Sequence, residues 1–214
     1  MRYILLLTVL LASNAFAAPD FDETMAEANQ GAAWAQFNLG VMYERGIGVP
    51  ENDAEAVKWY KKAADQGDAS AQYNLGVMYD NGNGVPENDA EAVKWFKKAA
   101  DQGYASAQYN LGNMYDNGEG VPENDAEAVK WYKKAADQGD ADAQYNSGVM
   151  YFNGDGVPEN HVRAYVWLSM AKTQGNENAK KAVEIVKNQM TKQQISEAQA
   201  LATQCYESDY KHCD

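Results

Sequence analysis

Apolar residues recur along this chain with helical spacing, in paired segments divided by short polar turns that contain glycine. In the segment after Gly67 they occupy positions i, i+4, i+7 and i+8 of one helical face: Ala71, Leu75, Met78 and Tyr79. In the next segment they occupy positions i, i+3, i+4, i+7 and i+8: Ala92, Trp95, Phe96, Ala99 and Ala100. Asn81 and Gly82 lie between the two segments, and both tolerate the left-handed backbone that ends a helix. The pattern predicts a helix, a loop and a second helix, with no strand.

Polar residues at the predicted helix ends fit this arrangement. Asp68 can cap the first helix by accepting a hydrogen bond from a free backbone N–H group. Asn88 and Glu91 have the spacing of a capping box at the start of the second helix. Acidic side chains then lie near the start of that helix and lysines near its end, as the helix dipole favours: Glu87, Asp89 and Glu91, then Lys94, Lys97 and Lys98.

The whole pattern repeats every 36 residues. The dipeptide Gln-Gly marks each step: Gln30-Gly31, Gln66-Gly67, Gln102-Gly103, Gln138-Gly139 and Gln174-Gly175. The adjacent blocks 67–102 and 103–138 differ at only four places: Asp68/Tyr104, Val77/Asn113, Asn83/Glu119 and Phe96/Tyr132. Because positions that are free to differ tend to face solvent, we expect the two pairs on the first helix to be exposed. A fixed period of this length is typical of stacked helical repeats.

We therefore expect an all-α solenoid that forms one domain over residues 18–204. A degenerate half unit precedes the full repeats, which are predicted at about 31–66, 67–102, 103–138 and 139–174. A partial repeat and a capping helix fill 175–204. Thr191 and Gln194 have the capping-box spacing that opens this last helix, which is predicted to end at about Thr203.

Two features of the first helices need a structural reason. Each repeat has a glycine inside its first helix, where glycine costs about 1 kcal/mol relative to alanine: Gly40, Gly76, Gly112 and Gly148. We expect a neighbouring helix to approach closely at each of them. In the fourth repeat Ser147 replaces a core leucine. Adaptation to the cap and a local binding site both remain open as explanations.

The chain has two cysteines, Cys205 and Cys213, in a polar segment at 205–214 that we expect to be an irregular tail. An even pair in an oxidising compartment favours a disulfide. So short a loop gains roughly 2.5 kcal/mol from the bridge. The spacing is not C-x-x-C, which argues against catalytic thiol exchange.

Residues 1–17 have the features of a cleaved secretory signal: Arg2, an apolar run from Ile4 to Ala12, and small residues before Ala18. The run is too short for a membrane anchor, which takes about 20 apolar residues. The signal is bacterial in style. We therefore expect the periplasm as the destination, with release outside the cell as the second choice and no membrane insertion after cleavage.

The chain is strongly acidic. Its formal net charge is −13, and loss of Arg2 with the signal would bring it to about −14. Phosphate contacts need lysine and arginine, so this balance argues against nucleic acid and anionic lipid as partners. Solubility alone explains the charge, and a preference for basic partners is the sharper alternative.

Small, aromatic and glycine positions of each repeat resemble the Sel1-like repeat, a relative of the tetratricopeptide repeat. The matching residues of the second repeat are Ala71, Leu75, Gly76, Tyr79, Gly82, Gly84, Val85, Ala92, Trp95, Phe96, Ala99, Ala100 and Gly103. The resemblance implies a right-handed superhelix of paired helices that assembles or holds proteins or peptides. In that family some bacterial members bind envelope or host components, some bind or hydrolyse β-lactams, and some are periplasmic antagonists of delivered toxins. The resemblance implies these as the candidate functions. Cysteine-rich members carry a disulfide inside each repeat, which this chain lacks, so the β-lactam activity carries over poorly.

In the related tetratricopeptide arrays the first helix of each pair lines the concave face. The resemblance therefore implies a binding surface formed by Trp34, Phe37, Val41, Glu44, Ser70, Tyr73, Val77, Asp80, Ser106, Tyr109, Asn113, Asp116, Asp142, Tyr145, Val149 and Phe152. Its column of aromatic rings and its column of carboxylates would suit an extended peptide with apolar and basic side chains. The alternative is that the rings pack between repeats.

The sequence offers little for catalysis or metal binding. Its two histidines, His161 and His212, are too few and too far apart in the chain for a metal cluster or a catalytic triad. No nucleophile elbow, phosphate loop or dinucleotide fingerprint is present. We therefore expect a monomeric, non-enzymatic protein that uses no cofactor or metal and binds a protein or peptide. The alternatives are an antagonist of a delivered toxin and, less favoured, a β-lactam hydrolase.

Overall fold

A computed structural model describes residues 20–211 and residue 213, and all regular structure in this part of the chain is helical. The described helices are α1 (Phe21–Asn29), α2 (Ala33–Arg45), α3 (Asp53–Asp65), α4 (Ala69–Asn81), α5 (Asp89–Asp101), α6 (Ala105–Asn117), α7 (Asp125–Ala136), α8 (Ala141–Asn153), α9 (His161–Thr173), α10 (Glu177–Asn188) and α11 (Lys192–Glu207). The all-α prediction is confirmed. The predicted signal at 1–17 lies outside the described residues.

The helices form hairpins that stack side by side. In each repeat a first helix pairs with a second: α2 with α3, α4 with α5, α6 with α7, and α8 with α9. Each second helix also packs against the first helix of the next unit, and α1 packs on α2 in the same way. The first helices α2 and α4 touch each other, as do α8 and α10, whereas no two of α3, α5, α7 and α9 approach as closely. At these two places the first helices of neighbouring units therefore approach each other more closely than the second helices do.

The predicted caps form, except for half of one capping box. Asp68 accepts a 2.8 Å hydrogen bond from a backbone N–H group in the first turn of α4. Asn88 accepts one of 3.1 Å from the N–H group of Glu91 at the start of α5. The Asn88 N–H group donates to the Tyr79 carbonyl at 2.8 Å, so it is not free to bond Glu91. The Glu91 side chain pairs with Lys94 instead, and the full capping box predicted here is wrong.

The glycines inside the first helices allow the close approach that the sequence predicts. A Cβ atom added at Gly76 would lie 2.6 Å from Cδ1 of Phe96, and one added at Gly112 would lie 2.6 Å from Cδ1 of Tyr132. These separations are shorter than a van der Waals contact, so an alanine would push the ring away. Glycine therefore lets a ring of the second helix rest on the backbone of the first.

A ladder of glutamine side chains joins each repeat to the next and accounts for the glutamine of the Gln-Gly dipeptide. Gln102 Nε2 donates to Gln72 Oε1 at 2.7 Å, and Gln72 Nε2 donates to the Ala64 carbonyl at 3.1 Å. The Gln102–Gln72 pair lies within the second repeat, and the bond to Ala64 crosses to the first. Equivalent pairs lie within the other repeats: Gln66 with Gln36, Gln138 with Gln108, and Gln174 with Gln144. The accepting glutamine of each pair is buried. Its amide is therefore satisfied within the protein, where an unpaired polar group would be costly.

The stack ends at α10 because this helix does not accommodate a second helix. Glu184 takes the place that glycine holds in the other first helices, and its side chain is exposed. The last helix, α11, packs against α9 and makes few contacts with α10. The outer side of α9 is apolar to match, since Val166 and Met170 replace Lys58 and Lys62 of the first repeat and are buried. The predicted capping helix is thus a lateral cover for the fourth repeat.

The final helix is longer than the sequence predicts. It ends at Glu207 instead of Thr203, so the prediction of an irregular tail from Cys205 onward is wrong. Cys205 lies in the apolar cluster that joins α9 and α11, and this packing carries the helix on for another turn. The predicted disulfide between Cys205 and Cys213 forms, and both residues are buried.

Candidate partner-binding face

All of the residues predicted to line the concave face lie on the first helices α2, α4, α6 and α8. Trp34, Asp116 and Asp142 are exposed, and the other predicted residues are half-buried. Trp34 leaves 54% of its surface in solvent, which is unusual for so large an apolar side chain. We call the solvent-facing side of α2, α4, α6 and α8 the inner face.

The aromatic column of the inner face also has a structural role. Three of its rings pack against a ring of the second helix with centroids 5.8 to 6.0 Å apart: Phe37 with Tyr60, Tyr73 with Phe96, and Tyr109 with Tyr132. Tyr73 also contacts Tyr104 of the next repeat, with centroids 5.1 Å apart. Such ring pairs are favourable in themselves. The expected packing between repeats is thus found at Tyr73, and part of each ring still reaches solvent.

Two carboxylates of the inner face accept hydrogen bonds from tyrosines beneath them. The Tyr60 hydroxyl donates to Glu44 Oε2 at 2.5 Å. The Tyr132 hydroxyl donates to Asn113 Oδ1 at 2.7 Å and to Asp116 Oδ2 at 3.1 Å. Burial, reinforced by the carboxylate, raises the pKa of both tyrosines far above the usual range. The hydroxyls therefore stay protonated and remain donors.

The carboxylate of the second repeat has no such donor. The residue beneath Asp80 is Phe96, which lacks a hydroxyl. Burial and the neighbouring carboxylates of Asp89, Glu119 and Glu87 raise the pKa of Asp80 above its usual value of 3.8. Asp116 likewise lies near carboxylates, those of Asp125 and Asp155, but it accepts the hydrogen bond from Tyr132, which Asp80 lacks.

The two differing pairs on the first helix are not exposed, so that prediction is wrong, whereas the loop pair Asn83/Glu119 is exposed. The two pairs on the first helix are half-buried: Asp68/Tyr104 and Val77/Asn113. Tyr104 packs on the Tyr73 ring, and Asn113 accepts the hydrogen bond from Tyr132. Phe96 has no hydroxyl to donate, and Val77 takes the place of Asn113 in its repeat, whereas the first repeat combines Tyr60 with Val41. Tyr104 and Asn113 therefore make contacts between helices that Asp68 and Val77 do not make.

The far end of the inner face is apolar. Val149 and Phe152 line a shallow depression of about 90 Å³ together with Leu168 and Ile185. Ile185 lies on α10, outside the residues that the sequence singled out, and 55% of its surface is exposed. Ile185 lies one period after Val149 in the sequence, and this equivalence could have predicted its place on the inner face.

The described part of the chain has no arrangement suited to metal binding. Among the residues described, no three histidine, cysteine, aspartate or glutamate side chains converge as metal ligands would. His161 lies 3.1 Å from Glu159 and packs near the Phe152 ring, and His212 is outside the described residues. Among the described helices, none has the length and apolar character that crossing a bilayer requires.

Comparison with protein families matches four Sel1 repeats to residues 35–68, 69–104, 105–140 and 141–176. This chain belongs to the Sel1 repeat family. Sel1 repeat proteins are generally non-catalytic scaffolds, and their repeats generally mediate protein interactions. The matched repeats contain all of the predicted inner-face residues except Trp34. A comparison with curated proteins gave no match.

Solved structures with a similar fold are Sel1 repeat proteins of bacteria. The Sel1 repeat protein from Oxalobacter formigenes is 38% identical, with a TM-score of 0.68 over 76% of this chain and 65% of that one. The protein c5321, described as a protective antigen present in uropathogenic Escherichia coli strains, is 30% identical, with a TM-score of 0.58 over 90% of this chain and 49% of that one. This Sel1 repeat protein thus spans about two thirds of the length of the first of these relatives and about half of the second.

A weaker likeness is to the immunity protein Pa5087 from Pseudomonas aeruginosa. The two chains are 24% identical, with a TM-score of 0.47 over 77% of this chain and 64% of that one. At this level the likeness concerns the general fold, and no functional argument follows from it.

Proposed function

We propose that this Sel1 repeat protein is a non-enzymatic scaffold that binds a protein or peptide along the inner face. The observation that carries the proposal is the recurrence of partly exposed aromatic and acidic side chains at equivalent places in successive repeats. The aromatic set is Phe37, Tyr73, Tyr109 and Tyr145, and the acidic set is Glu44, Asp80 and Asp116. Aromatic residues favour interfaces because they bury a large area at low entropic cost.

Charge indicates the kind of partner. Three equivalent positions of the inner face carry carboxylates, and the whole chain has a net charge of −13. Electrostatic complementarity speeds encounter with oppositely charged segments and suppresses the wrong partners. We therefore propose a partner segment with apolar and basic side chains.

The proposed location is the periplasm, with release outside the cell as the alternative. The buried disulfide between Cys205 and Cys213 supports an oxidising compartment, where such bonds persist. The apolar run near the N-terminus supports export. Both features support the proposal that the scaffold acts in the cell envelope.

Affinity capture from an envelope extract tests the proposal. The full chain serves as bait beside an inner-face variant, Trp34→Ala with Tyr109→Ala. The control lies on the solvent-facing side of the second helices, which we call the outer face, and carries Lys58→Ala with Lys94→Ala. Circular dichroism and thermal melting establish that each variant is folded. We expect the inner-face variant to lose at least 80% of the captured partner, by quantitative mass spectrometry, and the outer-face control to retain it. Equal recovery by both variants would contradict binding along the inner face.

A further inference from the structure

The second repeat differs from the first and third at the floor of the inner face. In the first and third repeats a tyrosine of the second helix donates to a carboxylate of the first helix: Tyr60 to Glu44, and Tyr132 to Asp116. Phe96 takes the place of the tyrosine in the second repeat and has no proton to donate. Among the described residues, no side chain or backbone group donates a hydrogen bond to Asp80. The carboxylate oxygens of Asp80 can therefore accept hydrogen bonds from a group outside the chain.

A cavity of about 160 Å³ lies beside Asp80, where α4, α5 and α6 meet. Its lining includes two carboxylates, three amides and one aromatic ring: Asp80, Glu119, Asn110, Asn113, Asn117 and Phe96. The three amides belong to successive turns of one face of α6. Asn117 and Glu119 are exposed, so the cavity opens to solvent. The Phe96 ring beneath it is fully buried, and Asn113 Oδ1 already accepts the hydrogen bond from Tyr132, so the acceptors that the cavity offers are chiefly the carboxylates of Asp80 and Glu119.

We propose that this cavity is a subsite for the guanidinium group of an arginine side chain in the partner of the inner face. The inference rests on the proposed function, because the arginine belongs to that partner. A guanidinium group has five N–H donors and no acceptor, which matches a cavity wall that carries the two carboxylates of Asp80 and Glu119. It is also planar and can donate to one carboxylate through two N–H groups at once.

The electrostatic surroundings of Asp80 favour such a cation. Asp89, Glu119 and Glu87 add negative charge around it, and burial removes water that would screen that charge. Asp80 also lies in the last turn of α4, which contains no basic residue and carries the negative end of the helix dipole. Lys94 of the same repeat is already paired with Glu91. A cation from the partner would therefore relieve repulsion that the chain itself does not neutralise.

An organic cation fits the cavity better than a metal ion does. Calcium takes six to eight oxygen ligands, with carboxylates among them. Among the described residues, no three carboxylate, histidine or cysteine side chains come together as metal ligands would. The cavity lining supplies only two carboxylates, and an organic cation with several N–H donors does not need a full shell of oxygen ligands.

Titration with a blocked pentapeptide tests the subsite. The probes are acetyl-Ala-Ala-Arg-Ala-Ala-amide and the same peptide with citrulline, which keeps the shape of arginine and removes its charge. The full chain is titrated with each, and the side-chain amide signals of Asn110, Asn113 and Asn117 are followed by NMR. We expect these signals to shift with the arginine peptide, and its Kd to be at least five-fold lower than that of the citrulline peptide. Equal Kd values for the two peptides would overturn the proposal.

Three variants separate the subsite from general charge attraction. Phe96→Tyr introduces the residue that the first and third repeats already accommodate, and its hydroxyl would occupy Asp80 as Tyr132 occupies Asp116. Asp80→Asn removes the charge, and Lys58→Ala is an outer-face control. We expect the first two to reduce the arginine preference to less than two-fold and the control to leave it unchanged. An undiminished preference in both Phe96→Tyr and Asp80→Asn would refute the subsite.

The peptide titration and the affinity capture distinguish a failure of the arginine subsite from a failure of the proposed scaffold function. If the inner-face variant used in affinity capture loses the partner but the arginine preference is absent, the subsite is wrong and the scaffold proposal stands. If neither capture nor peptide binding depends on inner-face residues, both are wrong.

Discussion

Single hydroxyl groups determine how the carboxylates of the inner face are held. Tyr132 supplies a donor to Asp116, whereas Phe96 leaves Asp80 without one. Burial and nearby carboxylates raise the pKa of Asp80, so the folded chain holds the Asp80 proton more tightly than the unfolded chain does. The stabilising contribution of protonated Asp80 is therefore complete below pH 3.8 and is lost as the pH rises through the raised pKa.

The substitution Asp80→Asn is expected to stabilise the fold at pH 7, because it removes a charge that the folded state disfavours. Asp80 is partly exposed, so the gain is at most about 1 kcal/mol, or a Tm rise of roughly 2–4 °C. The difference between variant and wild type is expected to vanish below pH 3.8, where both side chains are neutral. Thermal melts from pH 3 to pH 8 measure it.

The control for that experiment is Asp101→Asn. Asp101 is exposed and pairs with Lys97 on the outer surface, so its loss is expected to give no gain at pH 7. A wild type as stable as Asp80→Asn at pH 7, or a gain that persists at pH 3, would contradict the account of Asp80.

Side chains that act locally were predictable from the sequence, and those that act across helices were not. The cap at Asp68 depends on a backbone group three residues away, which spacing reveals. The hydrogen-bond partner of Gln102 is Gln72, on another helix. The sequence shows that Gln102 recurs every 36 residues, but it does not show this partner. The link between Asn113 and Tyr132 was likewise hidden, because it depends on how two helices face each other.

At the scale of the helix, one glycine per repeat sets how closely the two helices of a hairpin approach. The sequence predicted this contact because a glycine inside a helix is costly and recurred at a fixed period. It did not predict where the last helix would end or which helix it would cover. Those depend on the apolar outer side of α9 and on the bridge from Cys205, which are tertiary contacts.

Gly112→Ala is expected to destabilise the fold by about 1–3 kcal/mol, as overpacking does. The new Cβ atom would lie 2.6 Å from the Tyr132 ring and push it from its place. The matched control is Glu184→Ala at the equivalent position of α10, where no second helix packs, and its effect is expected to stay within about 0.5 kcal/mol. Urea unfolding measures both, and a Gly112→Ala variant as stable as the wild type would disprove the close contact.

Removal of residues 190–214 tests the role of α11 as a cover for α9. Val166 and Met170 would become exposed, at a cost of about 1.5–3 kcal/mol each. We expect the shortened chain to aggregate on size-exclusion chromatography and to melt at a lower temperature. Adding Val166→Lys and Met170→Lys, which restores the pattern of Lys58 and Lys62, is expected to recover a soluble monomer. A shortened chain that is soluble without these changes would contradict the role of α11.

At the scale of the whole molecule, stacked hairpins produce one continuous inner face. Because each repeat places equivalent side chains at a regular interval, small differences between repeats, such as Phe96 against Tyr132, give the face a position-dependent chemistry. The stack was recognisable from the period, and the family from the small, aromatic and glycine positions within each repeat. The position of the carboxylate without a donor required the structure, because it is a property of two helices together.

The most direct measurement of the central claim is site-specific photo-crosslinking in the cell. A photoreactive phenylalanine analogue is placed at Trp34 or Asp142 on the inner face, and at Lys58 or Lys94 on the second helices, all of which are exposed. The account predicts covalent adducts with a partner protein from the two inner-face positions and none from the two outer positions. Adducts that form only from the outer positions would contradict it.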